Sequence, residues 1–207
     1  MRAFPYTDDA LIGRLTEYWI ARGERCLQAQ LQGTNEHAHC RWLLAQLAPP
    51  MGASVLDIGS GVGAVADIMK SQRPDLRFTL LNISRWQLEH SNPKHARVCA
   101  DLESLPFAAG AFDCALLIYA IGYGMAARVL AEATRVARLV LVYDVIANER
   151  REWRRKLFYR IPKISELRRY GEPQRIDEPN GGRFEPLLPG FWKRTGAKTI
   201  LMRITSP

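Results

Sequence analysis

Val55-Leu56-Asp57-Ile58-Gly59-Ser60-Gly61-Val62-Gly63 runs a short apolar stretch into a turn with a glycine at every second position. Closely spaced glycines let the backbone bend sharply and let a ligand come into van der Waals contact with it. Where such a turn opens a helix, the first backbone N–H groups have no intrahelical acceptor and can serve a polar ligand. These are the properties of a cofactor turn. Gly59-x-Gly61-x-x-Ala64 by itself satisfies the relaxed dinucleotide fingerprint, so the glycines alone leave a nicotinamide cofactor and other nucleoside-bearing cofactors both open. A second group of residues, Glu36, His37, His39 and Cys40, has metal-binding side chains. A zinc site needs three or four ligands, and only His37 and Cys40 share a helical face at i, i+3 with no second pair nearby. No metal is expected, and a solvated helix face is the expected role.

The elements that must hold these residues are legible from periodicity. Between Ser54 and Ile146 short β-branched or apolar runs alternate with helical segments, the pattern of βαβ units and a parallel sheet. Strands are expected at Val55–Ile58, Phe78–Asn82, Arg97–Ala100, Asp113–Tyr119 and Leu139–Val145. Their nearly continuous apolar character fits a sheet covered by helices on both faces. Ser84, with Gln87 three positions on, is a capping box that starts a helix directly after the second strand. Met125 to Ala137, with Val129, Leu130, Ala133 and Val136 at helical spacing, is the expected helix between strands four and five. The N-terminal third reads as helical through Leu47, anchored by Trp19, Ile20, Trp42, Leu43 and Leu47, and closes at Pro49–Pro50. After strand five come a basic amphipathic helix, a Gly/Pro-rich stretch from Gly171 to Gly196 that suits a lid, and a last strand at Thr199–Thr205.

The motifs now carry a resemblance. Val55 to Gly63, with an acidic residue two positions before the first glycine, resembles motif I of the class I S-adenosylmethionine (SAM)-dependent methyltransferases; dinucleotide folds usually have an apolar residue at that point. Ala100-Asp101-Leu102-Glu103-Ser104-Leu105-Pro106-Phe107, followed by Ala111-Phe112-Asp113, resembles the acidic turn after the third strand and the approach to the fourth in that family. The resemblance covers about residues 36 to 146. It implies an α/β, Rossmann-like, doubly wound and mostly parallel sheet of the seven-stranded type, helices on both faces and an N-terminal helical cap. The chain is then expected to be one domain over 1–207, with the cap at 1–50, the cofactor core at 51–147 and a C-terminal part at 148–207.

By the same resemblance SAM is the cofactor. Gly59, Ser60, Gly61 and Gly63 pass under its methionine and ribose, and Asp57 orients the amino-acid end or holds the turn. Asp101 accepts from the adenine N6 amino group, with Leu102 beside the ring. Ile83 and Tyr119 complete the cofactor set. At the end of strand two the family usually places an Asp or Glu that chelates both ribose hydroxyls, and here Asn82 stands in that position. Its amide can accept one hydroxyl and donate to another group, without a charge to strengthen either bond. The segment before strand one often closes over SAM in the family, so His37 or His39 could line the pocket. Methyl transfer depends mostly on alignment, with a base needed only for an acceptor that must lose a proton. The candidates for substrate-side roles are Tyr123 and Asp144, at the carboxyl edge where open α/β sheets bind ligands.

Composition bounds the partners. With 47% hydrophobic and 24% charged residues over 207 positions, the chain is neither a disordered polyelectrolyte nor a collagen-like fibre. The longest apolar stretch, Ala115 to Ile121, is far below the roughly 18 to 20 residues of a bilayer span. The N-terminus does not read as a secretory signal, and Cys26, Cys40, Cys99 and Cys114 form no CxxC pair, so reduced thiols and a cytoplasmic setting are expected. Of the net charge of +8, residues 148 to 170 contribute nine basic and three acidic side chains. Arg150, Arg151, Arg154, Arg155 and Lys156, interleaved with Trp153, Leu157 and Phe158, allow three readings: a solvated face, a clamp for a phosphorylated or carboxylated substrate, or a nucleic-acid patch. No Asn/Asp-Pro-Pro-Tyr/Phe turn and no Pro-Cys pair is present, which disfavours base-modifying DNA enzymes. The expected activity is methyl transfer to an O, N or C atom of a small molecule, an anionic one included. RNA-directed methylation through the 148–170 segment and a non-catalytic SAM-binding or scaffold role are the alternatives.

Overall fold

The computed structural model describes residues 35–146, 161–176 and 198–206. Helix α1 (Asn35–Leu47) leads into β1 (Ser54–Ile58), α2 (Ala64–Gln72), β2 (Arg77–Asn82), α3 (Arg85–Glu89) and β3 (Ala96–Cys99). Next come β4 (Phe112–Ile118), a 3-10 turn (Ile121–Tyr123), α4 (Ala126–Val136), β5 (Ala137–Ile146), α5 (Ile164–Leu167), β6 (Gln174–Arg175) and β7 (Lys198–Thr205). The strands form one seven-stranded sheet in the order β3-β2-β1-β4-β5-β7-β6. The first five are parallel, while β7 runs antiparallel to β5, pairing Tyr143 with Leu201, and β6 runs antiparallel to β7.

Strand alternation divides the interior into two cores. Leu56, Ile58, Ala115, Leu117, Val140, Val142, Ile200, Met202 and Ile204 face α4, whose Ala126, Val129, Leu130 and Ala133 fall on one stripe. Val55, Cys114, Leu116, Leu141, Tyr143 and Leu201 face the other way, toward Cys40, Leu43 and Leu47 of α1 and Ala66 and Met69 of α2. Burial on both faces explains why the strands read as apolar runs without a polar side.

Two polar contacts hold the sheet and loops in place. At the amino edge the Asp113 carboxylate accepts from both the backbone N–H and the hydroxyl of Ser54, at 2.9 and 2.8 Å, tying β4 to β1. These donors hold the Asp113 carboxyl below its ordinary range. On α4, the Arg135 guanidinium is clasped by Glu132 and donates to the carbonyls of Phe107 and Leu105 at 2.7 and 2.9 Å. Glu132 in turn accepts from Leu105 N–H at 2.7 Å. The Leu105-Pro106-Phe107 motif is thus a docking segment that fixes the loop after β3 to α4.

The expected strands are present with ends shifted by a residue or two, and β3 stops at Cys99, so Ala100 begins the following loop. The Gly/Pro-rich stretch contains a two-residue edge strand, Gln174–Arg175, too short for any periodicity to mark. Trp19 and Ile20, the arginine-rich helix over 148–160 and most of the expected lid lie outside the described residues.

Candidate functional site

The carboxyl ends of β1, β2, β3, β4 and β5 meet along one edge, and each contributes a loop to it. The glycine turn after β1 is pinned to β2, because Gly59 and Ser60 donate their N–H groups to the Leu81 carbonyl at 2.8 and 3.1 Å. The three glycines of the turn differ in their surroundings. A Cβ on Gly59 would lie 2.8 Å from the Ala120 Cβ, and one on Gly63 would lie 2.7 Å from Leu80 Cδ1. Both therefore permit close packing against neighbouring strands. A Cβ on Gly61 would meet nothing within 4 Å, although its φ of +59° also favours glycine. Its bare backbone faces open space. Beside it the Ser60 hydroxyl is buried with no hydrogen-bond partner among the described residues. Helix α2 starts at Gly63 without a side-chain cap, which leaves its first N–H groups to an external acceptor.

Asn82 closes one side. Its Oδ1 accepts from Ser84 N–H at 3.1 Å, and its Nδ2 donates to Gln87 Oε1 at 2.7 Å and to the Gly61 carbonyl at 3.4 Å. The side chain is therefore a strut between the glycine turn and α3, and the Ser84 hydroxyl caps that helix by accepting from Gln87 N–H at 3.3 Å, as the capping box predicts. Ile83 between them is an exposed aliphatic side chain.

The loops after β3 and β4 form the opposite wall. Asp101 accepts from Glu103 N–H at 2.9 Å, which shapes the acidic turn and leaves its outer oxygen exposed. Leu102 packs partly into the core. Glu103 reaches across to accept from Met125 N–H and from Arg128. Gly124 sits so close beneath that a Cβ there would lie 2.7 Å from Leu102. Nothing in the linear sequence signals this bridge, because Glu103 and Met125 are brought together by tertiary packing alone.

Tyr119, the residue after β4, lies in the left-handed region, φ +52°, a conformation that costs about 1 kcal/mol or more in a residue carrying a Cβ. Its N–H donates to the Tyr143 carbonyl at 2.9 Å, and its ring meets the Tyr143 ring edge-on at 5.2 Å. His39 and Trp42 of α1 pack on the same Tyr143 ring, at 4.8 and 5.9 Å. His39 thus belongs to an aromatic cluster, His37 is exposed and Cys40 is buried in the core. Among the described residues no group of three or more side chains could hold a metal.

Asp144 is fully buried. Its two oxygens accept from Ile121 N–H at 3.1 Å and Val145 N–H at 2.7 Å, so the carboxylate holds the 3-10 turn that carries the half-buried Tyr123. Asp57 is buried beneath the glycine turn. Asp57, Gly59, Ser60, Gly61, Gly63, Asn82, Ile83, Asp101, Leu102, Tyr119 and Tyr123 are all brought to this one edge. Glu103 and Gln87 border them, although the sequence marks the one only as part of the acidic turn and the other only as half of a capping box. The open backbone at Gly61, the unpartnered Ser60 hydroxyl, the exposed Ile83 and the outward oxygen of Asp101 suit a nucleoside-bearing cofactor, with apolar and hydrogen-bonding contacts in one cleft.

A mostly parallel α/β sheet with an inserted antiparallel β7 and a glycine-rich first turn defines the doubly wound class, in which ligands bind at the carboxyl ends of the strands. Residues 56–139 match the family model described as Methyltransferase domain. Malonyl-[acyl-carrier protein] O-methyltransferase of Laribacter hongkongensis is 34% identical over 102 residues, 42% of this chain. The chain spans only 34% of that relative's length. Geranyl diphosphate C-methyltransferase from Streptomyces coelicolor A3(2) superposes with a TM-score of 0.67 at 12% identity, over 82% of this chain and 79% of that one. The [4+2]-cyclase SpnF superposes with a TM-score of 0.63 at 17% identity, over 83% and 81% of the two chains. These structural likenesses establish a shared fold, and a fold alone does not set the reaction.

Proposed function

We propose that this chain is a methyltransferase that binds SAM in the cleft over Gly61 and passes its methyl group to an O, N or C atom of a small molecule. The observation that carries the reading is the glycine turn itself. Gly59 and Gly63 are bare because strands press on them, whereas Gly61, whose φ of +59° itself favours glycine, leaves open space over its backbone that a ligand can occupy. The bound sulfonium would supply an activated methyl carbon. The work left to the chain is to hold the two reactants in line and to exclude water.

In this reading the α2 N-terminus and Ser60 take the polar end of the cofactor, Ile83 and Leu102 flank its base, and Asp101 accepts from the base's amino group through its outer oxygen. Asp57 and Asp144 act from below, as buried carboxylates that hold the turns on either side of the reacting atoms. Tyr123 faces the acceptor from the 3-10 turn. The substrates named for two relatives, a malonyl-carrier protein and geranyl diphosphate, make an anionic acceptor group a sensible first choice. Calorimetry with S-adenosylhomocysteine, followed by a panel of carboxylated and phosphorylated acceptors with labelled SAM, tests both halves. Absence of binding heat from the folded protein would sink the cofactor reading. Cofactor binding with no transfer to any acceptor would leave a SAM-binding protein instead.

A further inference from the structure

The turn that carries Tyr123 is held at both ends by carboxylates from other parts of the chain. It is a single 3-10 turn, Ile121–Tyr123, and the bond that closes it, from Gly124 N–H to the Ile121 carbonyl, is long at 3.4 Å. So short a turn with so long a bond does not fix itself. At its start Asp144, fully buried on β5, accepts from Ile121 N–H at 3.1 Å. At its end the holder is Glu103, whose Oε1 accepts from Met125 N–H. Met125 is the first residue before α4, so Glu103 supplies from another loop what the glutamate of a capping box supplies locally. Its neighbour Leu102 touches the neighbour of Met125, since a Cβ on Gly124 would lie 2.7 Å from Leu102 Cδ1 and 2.9 Å from Glu103 Oε1. Gly124 has an extended backbone, φ −134°, so the constraint at that position is the contact and not the conformation. Two consecutive residues of the wall after β3 thus grip two consecutive residues of the wall after β4.

We propose that Glu103 is a positioning residue that passes occupancy of the cofactor cleft to the turn carrying Tyr123. The assignment rests on the cofactor reading above, in which Asp101 and Leu102 meet the base. Asp101 shapes the acidic turn by accepting from Glu103 N–H at 2.9 Å. A base seated on Asp101 and Leu102 therefore fixes the backbone from which the Glu103 side chain projects. With that backbone fixed, the Glu103 carboxylate keeps hold of Met125 N–H, the far end of the turn stays closed, and Tyr123 is set toward the acceptor. An empty cleft leaves the acidic turn without this support, and the hold on Met125 opens more often. Glu103 itself touches neither reactant. Its ion pair with Arg128 plays no part, because it spans 3.4 Å to a side chain that is 66% exposed, where solvent screens it. The relay runs through Met125 N–H.

Amide hydrogen exchange over residues 121–125, read by mass spectrometry on the full chain with and without saturating S-adenosylhomocysteine, tests the relay. Calorimetry gives the affinities, and thermal melting checks folding. In the wild type the ligand should slow exchange over this stretch by about 3- to 10-fold, the scale of one hydrogen bond made persistent. In Glu103→Ala the slowing should disappear, while S-adenosylhomocysteine binding weakens by no more than the same factor, because the coupling is reciprocal. The Asp101 turn survives this substitution, since its donor is a backbone N–H. Glu103→Asp, whose carboxylate stops one methylene short of Met125, should behave like the alanine variant and covers the case where that variant folds poorly. Glu103→Gln keeps an oxygen for Met125 N–H and should restore the slowing, and Arg128→Ala should leave it as in the wild type. Slowing that persists in folded Glu103→Ala or Glu103→Asp would overturn the assignment while the cofactor reading stands, as would its absence in a wild type that binds the ligand. A folded wild type that ignores S-adenosylhomocysteine would overturn both.

Discussion

Individual residues of the cleft separate into those that shape it and those that face it, and substitution should separate them in the same way. Gly61→Val adds a side chain where the protein offers no clash but where the cofactor would lie, at a φ of +59°. It should reduce S-adenosylhomocysteine affinity at least 10-fold while lowering stability only by about 1–3 kcal/mol, the range for a strained backbone position. Gly59→Ala drives a Cβ to 2.8 Å from Ala120, so its main effect should be a lowered melting temperature. Calorimetry beside thermal melts distinguishes the two, and equal behaviour of both variants would contradict the division. Asp101→Ala should weaken binding through the lost acceptor and the loosened acidic turn, whereas Asp101→Asn, which keeps an acceptor oxygen, should recover part of it. The glycines and Asp101 were legible in the sequence because their residue types are tied to a motif. Gln87 was legible only as half of a capping box, since its role depends on which way an amide is turned.

At the scale of elements, the loops of the site are held by contacts that the sequence does not announce. The Asp144 carboxylate on β5 organises the 3-10 turn after β4 by accepting from Ile121 N–H. Asp144→Ala removes the acceptor of two buried N–H groups, those of Ile121 and Val145, and should cost about 2–6 kcal/mol in a denaturation experiment, at about one to three kcal/mol for each unsatisfied buried group. In the sequence Asp144 reads as a candidate for chemistry because it stands near the end of a strand. Its burial and its backbone partners instead support a positioning role. The Asp113 contact to Ser54 and the Glu132 clasp on Arg135 hold both carboxyls below their ordinary range. The unfolded chain therefore takes up protons first as the pH falls, and the stability these groups contribute is present above the ordinary carboxylate range and is lost as pH drops through it toward their folded values. Ser54→Ala, which removes the hydroxyl donor and keeps the backbone N–H, should lessen the Asp113 part of this acid dependence, measurable as the change in melting temperature between neutral and acidic buffer. The Phe112-Asp113 and Leu105-Pro106-Phe107 motifs were visible in the sequence, but their physical purpose, a sheet tie and a loop dock, needed the fold.

For the whole molecule, one sheet carries every loop of the cleft, so occupancy of the cleft should stabilise the entire cooperative unit. A ligand present at about 100 times its dissociation constant adds about 2.7 kcal/mol, which for a chain of this size raises the melting temperature by about 5–10 °C. S-adenosylhomocysteine should produce that shift in the wild type and at most about half of it in Gly61→Val at the same concentration, since an affinity about 10-fold weaker leaves about 1.4 kcal/mol; an equal shift in both would place the ligand elsewhere. Core truncation should act on the same unit, and Leu116→Ala, at a fully buried position on the central strand, should cost about 2–5 kcal/mol. What the sequence determined by itself is local: strands as apolar runs, helices by their stripe, the glycine turn and the acidic turn by motif, because each depends on neighbours a few residues apart. The tertiary structure alone decided which glycine faces open space and which are packed against, which carboxylate is buried and which is exposed, and which way the Asn82 and Gln87 amides point. Those properties are set by atoms from different strands packed within a few ångströms, and no spacing along the chain encodes such distances.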